Sequence, residues 1–154
     1  MTTIAVNKKS MSCDLQFTHS GGMKFKGYSK CMRLAKIVAQ SMFGADKAVI
    51  GASGDADKIG MAWDFLNDPM SYNGKVPNVK GCEFVALTSN GEILTSASLV
   101  SWIKVEQAYY SIGTGSHFAM GVMSTGGSSH SAVNAASKND PNTGMGIKTY
   151  KVNS

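Results

Sequence analysis

The sequence has few charged residues and no long apolar run. Charged side chains make up 16% of the 154 residues and apolar ones 43%, a balance typical of a folded globular chain. The mean hydropathy is −0.08, and no apolar stretch approaches the roughly 18 residues of a membrane-spanning helix. The start, MTTIAVNKKSMS, lacks the charged, apolar and cleavable regions of a signal peptide. We therefore expect a cytoplasmic protein, with one domain over residues 1–154.

Cysteine is too scarce and too scattered for a disulfide framework or a zinc site. The chain has three cysteines, Cys13, Cys31 and Cys82. Their number is odd, and no two of them lie close together in the sequence. We expect each to be a small buried apolar residue. Histidine and carboxylate residues show no metal-ligand spacing either, so we expect neither a metal nor a cofactor.

Positive charge exceeds negative charge, with a net charge of +5 and most of the excess in the first third of the chain. One interpretation is a nucleic-acid-binding surface. A solvated basic face is the simpler one, because the lysines lack the interleaved aromatic residues on which single-stranded bases stack. We do not expect nucleic acid as a partner, but the interpretation stays open.

The order of predicted elements indicates an α+β fold. Asn90-Gly91 lies between two β-rich segments and predicts a type I′ hairpin, while Ser53-Gly54-Asp55 predicts the start of a helix. Pro and Gly make residues 67–81 a loop. Strands in groups, separated by helices, favour a layered sandwich over a doubly wound parallel sheet. The predicted strands are 3–6, 11–17, 47–52, 83–89, 92–96, 107–112 and 147–152, and the predicted helices are about 55–66, 116–123 and 128–137.

Six short segments of the sequence, taken together and in their order, carry information about the fold. They are MTTIAV at 1–6, SCD at 12–14, KGYSKCMRL at 26–34, KAVIGASGDAD at 47–57, YSIGTGS at 110–116 and DPNTG at 140–144. In this order they resemble the proteasome β subunits and the related bacterial heat-shock peptidase. The resemblance covers most of the chain, and it implies the four-layer αββα sandwich of the N-terminal-nucleophile hydrolases.

The resemblance also implies a catalytic centre at the start of the chain. Removal of Met1 would give Thr2 a free α-amine, which can serve as the base for its own hydroxyl. Lys30 would be an ammonium that lowers the pKa of nearby groups and stabilises negative charge. Asp14 would pair with Lys30 and orient it. If Met1 is retained, Thr2 has no free amine and the protein is expected to be inactive.

Four further residues take roles from the same resemblance. The Gly51 N–H would donate to the oxyanion of the tetrahedral intermediate. Thr114, Asp140 and Thr143 would position the α-amine and a water molecule. The family usually has serine where this chain has Thr114 and Thr143, so each site keeps its hydroxyl and gains a methyl group.

The chain departs from the family in two places. Residues 67–81 form a loop where the family has a second long helix, so we expect one helix to be shortened or missing. Residues 35–46 look like an insertion. A divergent member of phage origin would account for both features.

The resemblance predicts a threonine-type endopeptidase subunit. Such a subunit would sit in a self-compartmentalising homo-oligomeric ring and hydrolyse unfolded polypeptide delivered by a separate ATPase. Two alternatives remain open at this point: a catalytically inactive structural or assembly protein that keeps Met1, and a basic nucleic-acid binder.

Overall fold

A computed structural model describes residues 2–18, 23–27 and 29–153. Within these ranges the chain forms eleven strands and four α-helices. The strands are β1 (Thr3–Asn7), β2 (Ser10–Asp14), β3 (Gln16–Thr18), β4 (Lys24–Lys26), β5 (Cys31–Arg33), β6 (Ala48–Ser53), β7 (Glu83–Thr88), β8 (Ile93–Ser96), β9 (Ile103–Val105), β10 (Tyr109–Gly113) and β11 (Ile147–Lys151). The helices are α1 (Lys36–Phe43), α2 (Ala56–Asn67), α3 (Ser116–Ser124) and α4 (Ser129–Asn139).

Two antiparallel sheets face each other across an apolar core. The first has the strand order β10-β1-β2-β11 and the second β5-β6-β7-β8-β9. Alternation along each strand sends every second side chain into the space between the sheets. Ile4 and Met11 from the first sheet meet Val49, Val85 and others from the second in one buried cluster.

Helices cover the outer face of each sheet. The opposite alternation of β6 and β7 places Ile50 and Phe84 against α1 and α2 in a second apolar cluster. On the other side, α3 and α4 pack over Ala5 of β1. The layers run helix, sheet, sheet, helix, which confirms the predicted α+β sandwich. In the described part of the chain, no helix is long and apolar enough to cross a membrane.

The N-terminus of α2 forms as its sequence predicts. Asp55 is the N-cap, and its side chain accepts a hydrogen bond from the Asp57 N–H at 2.8 Å, which satisfies one of the free donors of the first turn. The residues after α2 form a 3₁₀ turn, Pro69–Tyr72, and then irregular chain up to β7. The second long helix of the family is therefore absent from this place.

The predicted insertion at 35–46 is instead mostly helix. Its residues form α1, which ends at Gly44 in the left-handed conformation with φ 65°, a common helix stop. Ala39 of α1 joins Ile59 and Trp63 of α2 in the same apolar cluster. The outer layer over the second sheet therefore contains two helices, of which α1 precedes β6 in the chain and α2 follows it.

Two local predictions were wrong. The strand predicted at 11–17 is broken at Leu15, whose N–H leaves the ladder and donates to the carbonyls of Gly144 and Gly146, each at 3.2 Å. The hairpin at Asn90-Gly91 is present, but it is not type I′. Gly91 has φ 78°, whereas Asn90 is not among the described residues with positive φ. A type I′ turn needs positive φ at both central residues.

Candidate functional site

Thr2, Asp14 and Lys30 meet at the carboxyl-terminal end of β2. The hydroxyl of Thr2 donates to Asp14 Oδ1 at 3.3 Å, and the Lys30 ammonium donates to the same oxygen at 3.0 Å. All three residues are buried, with 2% of Thr2 and 1% of Lys30 exposed. The structure thus brings together three residues that are separated by up to 28 positions in the sequence.

The Asp14 carboxylate is held by main-chain donors as well. The Thr3 N–H donates to Oδ1 at 3.0 Å. The Gly144 N–H donates to Oδ2 at 3.1 Å, and the Gln16 N–H does so at 3.4 Å. A fully buried charge is tolerated only when it is paired and hydrogen-bonded. Asp14 meets both conditions, so its position and orientation are fixed.

Lys30 lies immediately before β5 and is anchored by that sheet. Its carbonyl accepts a hydrogen bond from the Ala52 N–H at 2.9 Å. Its ammonium also donates to the main-chain carbonyl of Gln16. Burial lowers the pKa of Lys30, and the nearby Asp14 carboxylate opposes that shift. Lys30 was one of the basic residues in the first third of the sequence, and here it belongs to the interior and not to a basic surface.

Two cysteines lie beside this ion pair. Cys13 and Cys31 are the residues next to Asp14 and Lys30, and their thiols interact. The Cys31 thiol lowers the pKa of Cys13, whereas burial raises the pKa of Cys31 well above its usual value. All three cysteines are buried, as predicted, but the fold creates a close pair that their sequence spacing does not reveal.

A second network surrounds Asp140 at the end of α4. Thr114 Oγ1 donates to Asp140 Oδ2 at 2.6 Å, and Thr143 Oγ1 donates to the same oxygen at 2.7 Å. The Asn142 N–H donates to Oδ1 at 3.1 Å. Burial alone would raise the pKa of Asp140, but the hydrogen bonds from Thr114, Thr143 and Asn142 outweigh it and lower that pKa.

Thr3 joins the two networks. Its hydroxyl lies 2.7 Å from Thr143 Oγ1, while its N–H donates to Asp14. Because the single hydroxyl proton of Thr143 is given to Asp140, Thr3 must be the donor in the bond with Thr143. Sequence reasoning did not single out Thr3. Its position next to Thr2 was the available signal.

Two glycines leave room for the start of the chain. A Cβ on Gly113 would lie 1.9 Å from the Thr2 carbonyl oxygen, and its φ of +97° is itself unfavourable for other residues. A Cβ on Gly115 would lie 2.1 Å from Thr3 Oγ1. The Thr2 carbonyl and the Thr3 side chain therefore pack directly on residues 113–115, at the end of β10.

Gly51 does not lie in this cluster. It is inside β6, paired with Cys31 on one side and Val85 on the other. Since the Ala52 N–H points to β5, the alternation of an antiparallel ladder directs the Gly51 N–H to β7. A Cβ on Gly51 would lie 2.8 Å from Ile4 Cδ1. This residue therefore faces the core between the sheets, which does not suit the predicted role as an oxyanion donor.

Ser53, and not Gly51, is the residue of β6 that borders the site around Thr2. It ends β6 and is 4% exposed, and its hydroxyl would lie 3.4 Å from a Cβ on Gly113. Gly113 packs on the Thr2 carbonyl, so the Ser53 end of β6 borders the site.

Met1, whose removal the sequence analysis requires, lies outside the described residues. Among the residues that are described, no three His, Cys, Asp or Glu side chains are grouped so that they could hold a metal ion.

Comparison with known proteins finds similarity in structure but not in sequence. No protein-family model matches the chain, and no curated protein matches it. BPH of Thiobacillus denitrificans, solved in complex with epoxomicin, superposes with a TM-score of 0.65 at 14% identity, covering 97% of this chain and 96% of that one. HslV of Trypanosoma brucei gives a TM-score of 0.64 at 16% identity, covering 96% and 97%.

A third similar structure is Anbu of Yersinia bercovieri, described as an ancestral β-subunit. It gives a TM-score of 0.70 at 8% identity and covers 99% of this chain and 81% of that chain. Identities this low establish the fold and nothing finer. The chain has the proteasome-like N-terminal-nucleophile hydrolase fold, similar to that of BPH, HslV and Anbu.

Proposed function

We propose that this chain is a threonine-type peptidase in which Thr2 becomes the nucleophile when Met1 is removed. The observation that carries the proposal is the shared oxygen of Asp14, which receives hydrogen bonds from both Thr2 Oγ1 and Lys30 Nζ. This geometry places a hydroxyl beside a buried cation at the start of the chain. The proteasome-like fold supports the same interpretation.

The chemistry follows from a free amine on Thr2. An α-amine has an ordinary pKa of about 7.7–8.0, so near neutral pH a useful fraction is unprotonated and can accept the hydroxyl proton. Oγ1 then attacks the peptide carbonyl, the bond to the leaving amine breaks, and that amine takes the proton. Water hydrolyses the resulting ester and restores Thr2. The Lys30 ammonium stabilises the negative charge that develops in both steps.

The second network has a positioning role in this scheme. Asp140 holds the hydroxyls of Thr114 and Thr143, and Thr143 is bonded to Thr3. We assign Thr114, Asp140 and Thr143 to the orientation of the Thr2 amine and of the hydrolytic water. We place the oxyanion donor at the Ser53 end of β6 and not at Gly51.

Unfolded polypeptide is the proposed substrate. The resemblance to proteasome β subunits further suggests a homo-oligomeric ring that is served by a separate ATPase. Native mass spectrometry of the purified protein tests the ring, because a ring gives one discrete multiple of the 16.2 kDa chain. A purely monomeric protein at micromolar concentration would contradict this part of the proposal.

Intact mass and covalent labelling test the nucleophile. The BPH structure contains epoxomicin, and we expect the same compound to add once to this protein after loss of Met1, with the adduct at Thr2. Thr2→Ala should abolish both the adduct and peptide hydrolysis, whereas Thr2→Ser should keep the adduct. Full peptidase activity in Thr2→Ala would refute the proposal. Complete retention of Met1 would favour the inactive structural or assembly protein.

A further inference from the structure

The aromatic ring of Phe17 covers the buried ammonium of Lys30. The Lys30 Nζ atom lies 4.9 Å from the centre of the ring. An ammonium within about 6 Å of an aromatic face is attracted to the negative charge of that face. Lys30 is 1% exposed and Phe17 is 7% exposed, so water does not screen this contact.

The position of the Phe17 ring is restricted by Phe25 and Gly27. Phe17 and Phe25 are opposite each other in the β3–β4 pair, and their rings stack at 5.8 Å with an interplanar angle of 18°. Gly27 also lies against the ring, because a Cβ at this position would lie 2.1 Å from Phe17 Cδ2 and 2.4 Å from Cε2. Gly27 thus leaves the space that the ring occupies.

The charge of Lys30 depends on a balance of opposing contributions. Burial favours the neutral amine, while the carboxylate of Asp14 favours the ammonium. Within the described part of the chain, the thiols of Cys13 and Cys31 also act on Lys30, and each would favour the ammonium when ionised. The Phe17 ring also favours the ammonium, and unlike these groups it does not titrate.

We propose that Phe17 is a positioning residue that keeps Lys30 protonated and directed toward Asp14 and Thr2. The ring acts through Lys30 and has no assigned contact with substrate. The catalytic consequence rests on the proposed function, whereas the protonation of Lys30 can be measured without any activity.

The test follows the titration of Lys30 by NMR in the full chain labelled with ¹³C,¹⁵N-lysine. Loss of a cation–π contact of about 0.5–2 kcal/mol corresponds to a pKa that is lower by roughly 0.4–1.5. We expect Phe17→Leu to show this decrease. Gly27→Ala should show it too, because its added methyl group displaces the ring without removing it. Phe17→Tyr should leave the Lys30 titration nearly unchanged.

An isosteric variant covers the case in which Phe17→Leu does not fold. Pentafluorophenylalanine incorporated at position 17 keeps the ring's shape and reverses the charge on its face, so it should lower the Lys30 titration midpoint. Phe118→Leu is the matched control, since Phe118 is 43% exposed on α3. An unchanged Lys30 midpoint in the fluorinated protein would overturn the proposal.

Activity measurements separate this proposal from the proposed function. If the chain is a peptidase, the alkaline limb of its kcat/KM profile should move to lower pH in Phe17→Leu and Gly27→Ala, and Phe17→Tyr should restore it. If the wild-type protein hydrolyses no peptide and takes no epoxomicin, the proposed function fails. The NMR test of Phe17 does not depend on that outcome, because it measures the protonation of Lys30 and not peptide hydrolysis.

Discussion

Single residues at this site depend on partners that are distant in the chain. Asp14 and Lys30 could be singled out from the sequence because a family pattern marks their positions. Thr3 and Gly144 could not, because one is identified only by its bond to Thr143 and the other only by its donated N–H. Gly51 was assigned from its place in a glycine-containing segment, and its direction in the ladder was not visible until the strands were paired.

Removal of one member of the buried ion pair should be costly. Lys30→Met leaves the Asp14 carboxylate buried without its cation, and we expect a loss of about 3–5 kcal/mol in the free energy of unfolding. Adding Asp14→Asn to that variant should restore part of the loss. Urea unfolding measures both. Lys104→Met is the control, since Lys104 is 56% exposed and lies 3.5 Å from Glu92, and it should cost under about 1 kcal/mol.

The pH dependence of stability should carry a contribution from Asp140. Its pKa is lowered in the folded protein from an ordinary value of 3.8, so the unfolded state binds its proton first as the pH falls. The stabilisation is therefore complete above pH 3.8 and is lost as the pH drops further toward the folded pKa. We expect the difference in unfolding free energy between the wild type and Asp140→Asn to shrink between pH 5 and 3. A constant difference would contradict this assignment.

Helices and strands could be predicted where their determinants lie within the same short stretch of sequence. The Asp55 cap and the apolar spacing after it were sufficient to predict α2. The strand predicted at 11–17 failed because Leu15 bonds to the 144–146 segment, a contact that no local pattern shows. Helix α1 was not predicted because an apolar stretch as short as residues 30–38 is compatible with a strand as well as with a helix.

The junction between β10 and β1 should tolerate no side chain at Gly113. Gly113→Ala would combine a φ of +97° with a Cβ only 1.9 Å from the Thr2 carbonyl, and we expect a loss of at least about 3 kcal/mol. Gly44→Ala is the matched control, because Gly44 has φ +65° but nothing within 4 Å of a Cβ. It should cost about 1–2 kcal/mol. Thermal unfolding of the two variants compares them, and equal losses would show that the contact with Thr2 is unimportant.

At the scale of the whole molecule, the layering was predictable and the pairing of elements was not. The grouping of strands and helices along the sequence indicated an α+β sandwich. The neighbours of each strand depend on pairings between distant segments, such as β1 with β10, which no local pattern shows. We propose that the chain is one domain, since strands from both ends, β1 and β11, lie in the same sheet.

The core between the sheets should dominate global stability. Ile4 is 0% exposed and lies in that core, so Ile4→Ala should cost about 2–5 kcal/mol. Ile103→Ala changes a side chain that is 68% exposed and should stay within about 0.5 kcal/mol. Denaturant unfolding followed by both near-UV and far-UV circular dichroism measures the losses. A single transition with coincident signals is expected for one domain, and two separate transitions would contradict it.

The Asp14 carboxylate has a consequence for the order of events during synthesis. Its donors come from residues 2, 3, 16, 30 and 144, so its full set of bonds closes only when both ends of the chain are in place. Contacts of such long sequence separation form late in folding. A nascent or partly folded chain therefore holds no completed site. A peptidase built in this way would be harmless to the cell until its own folding is finished.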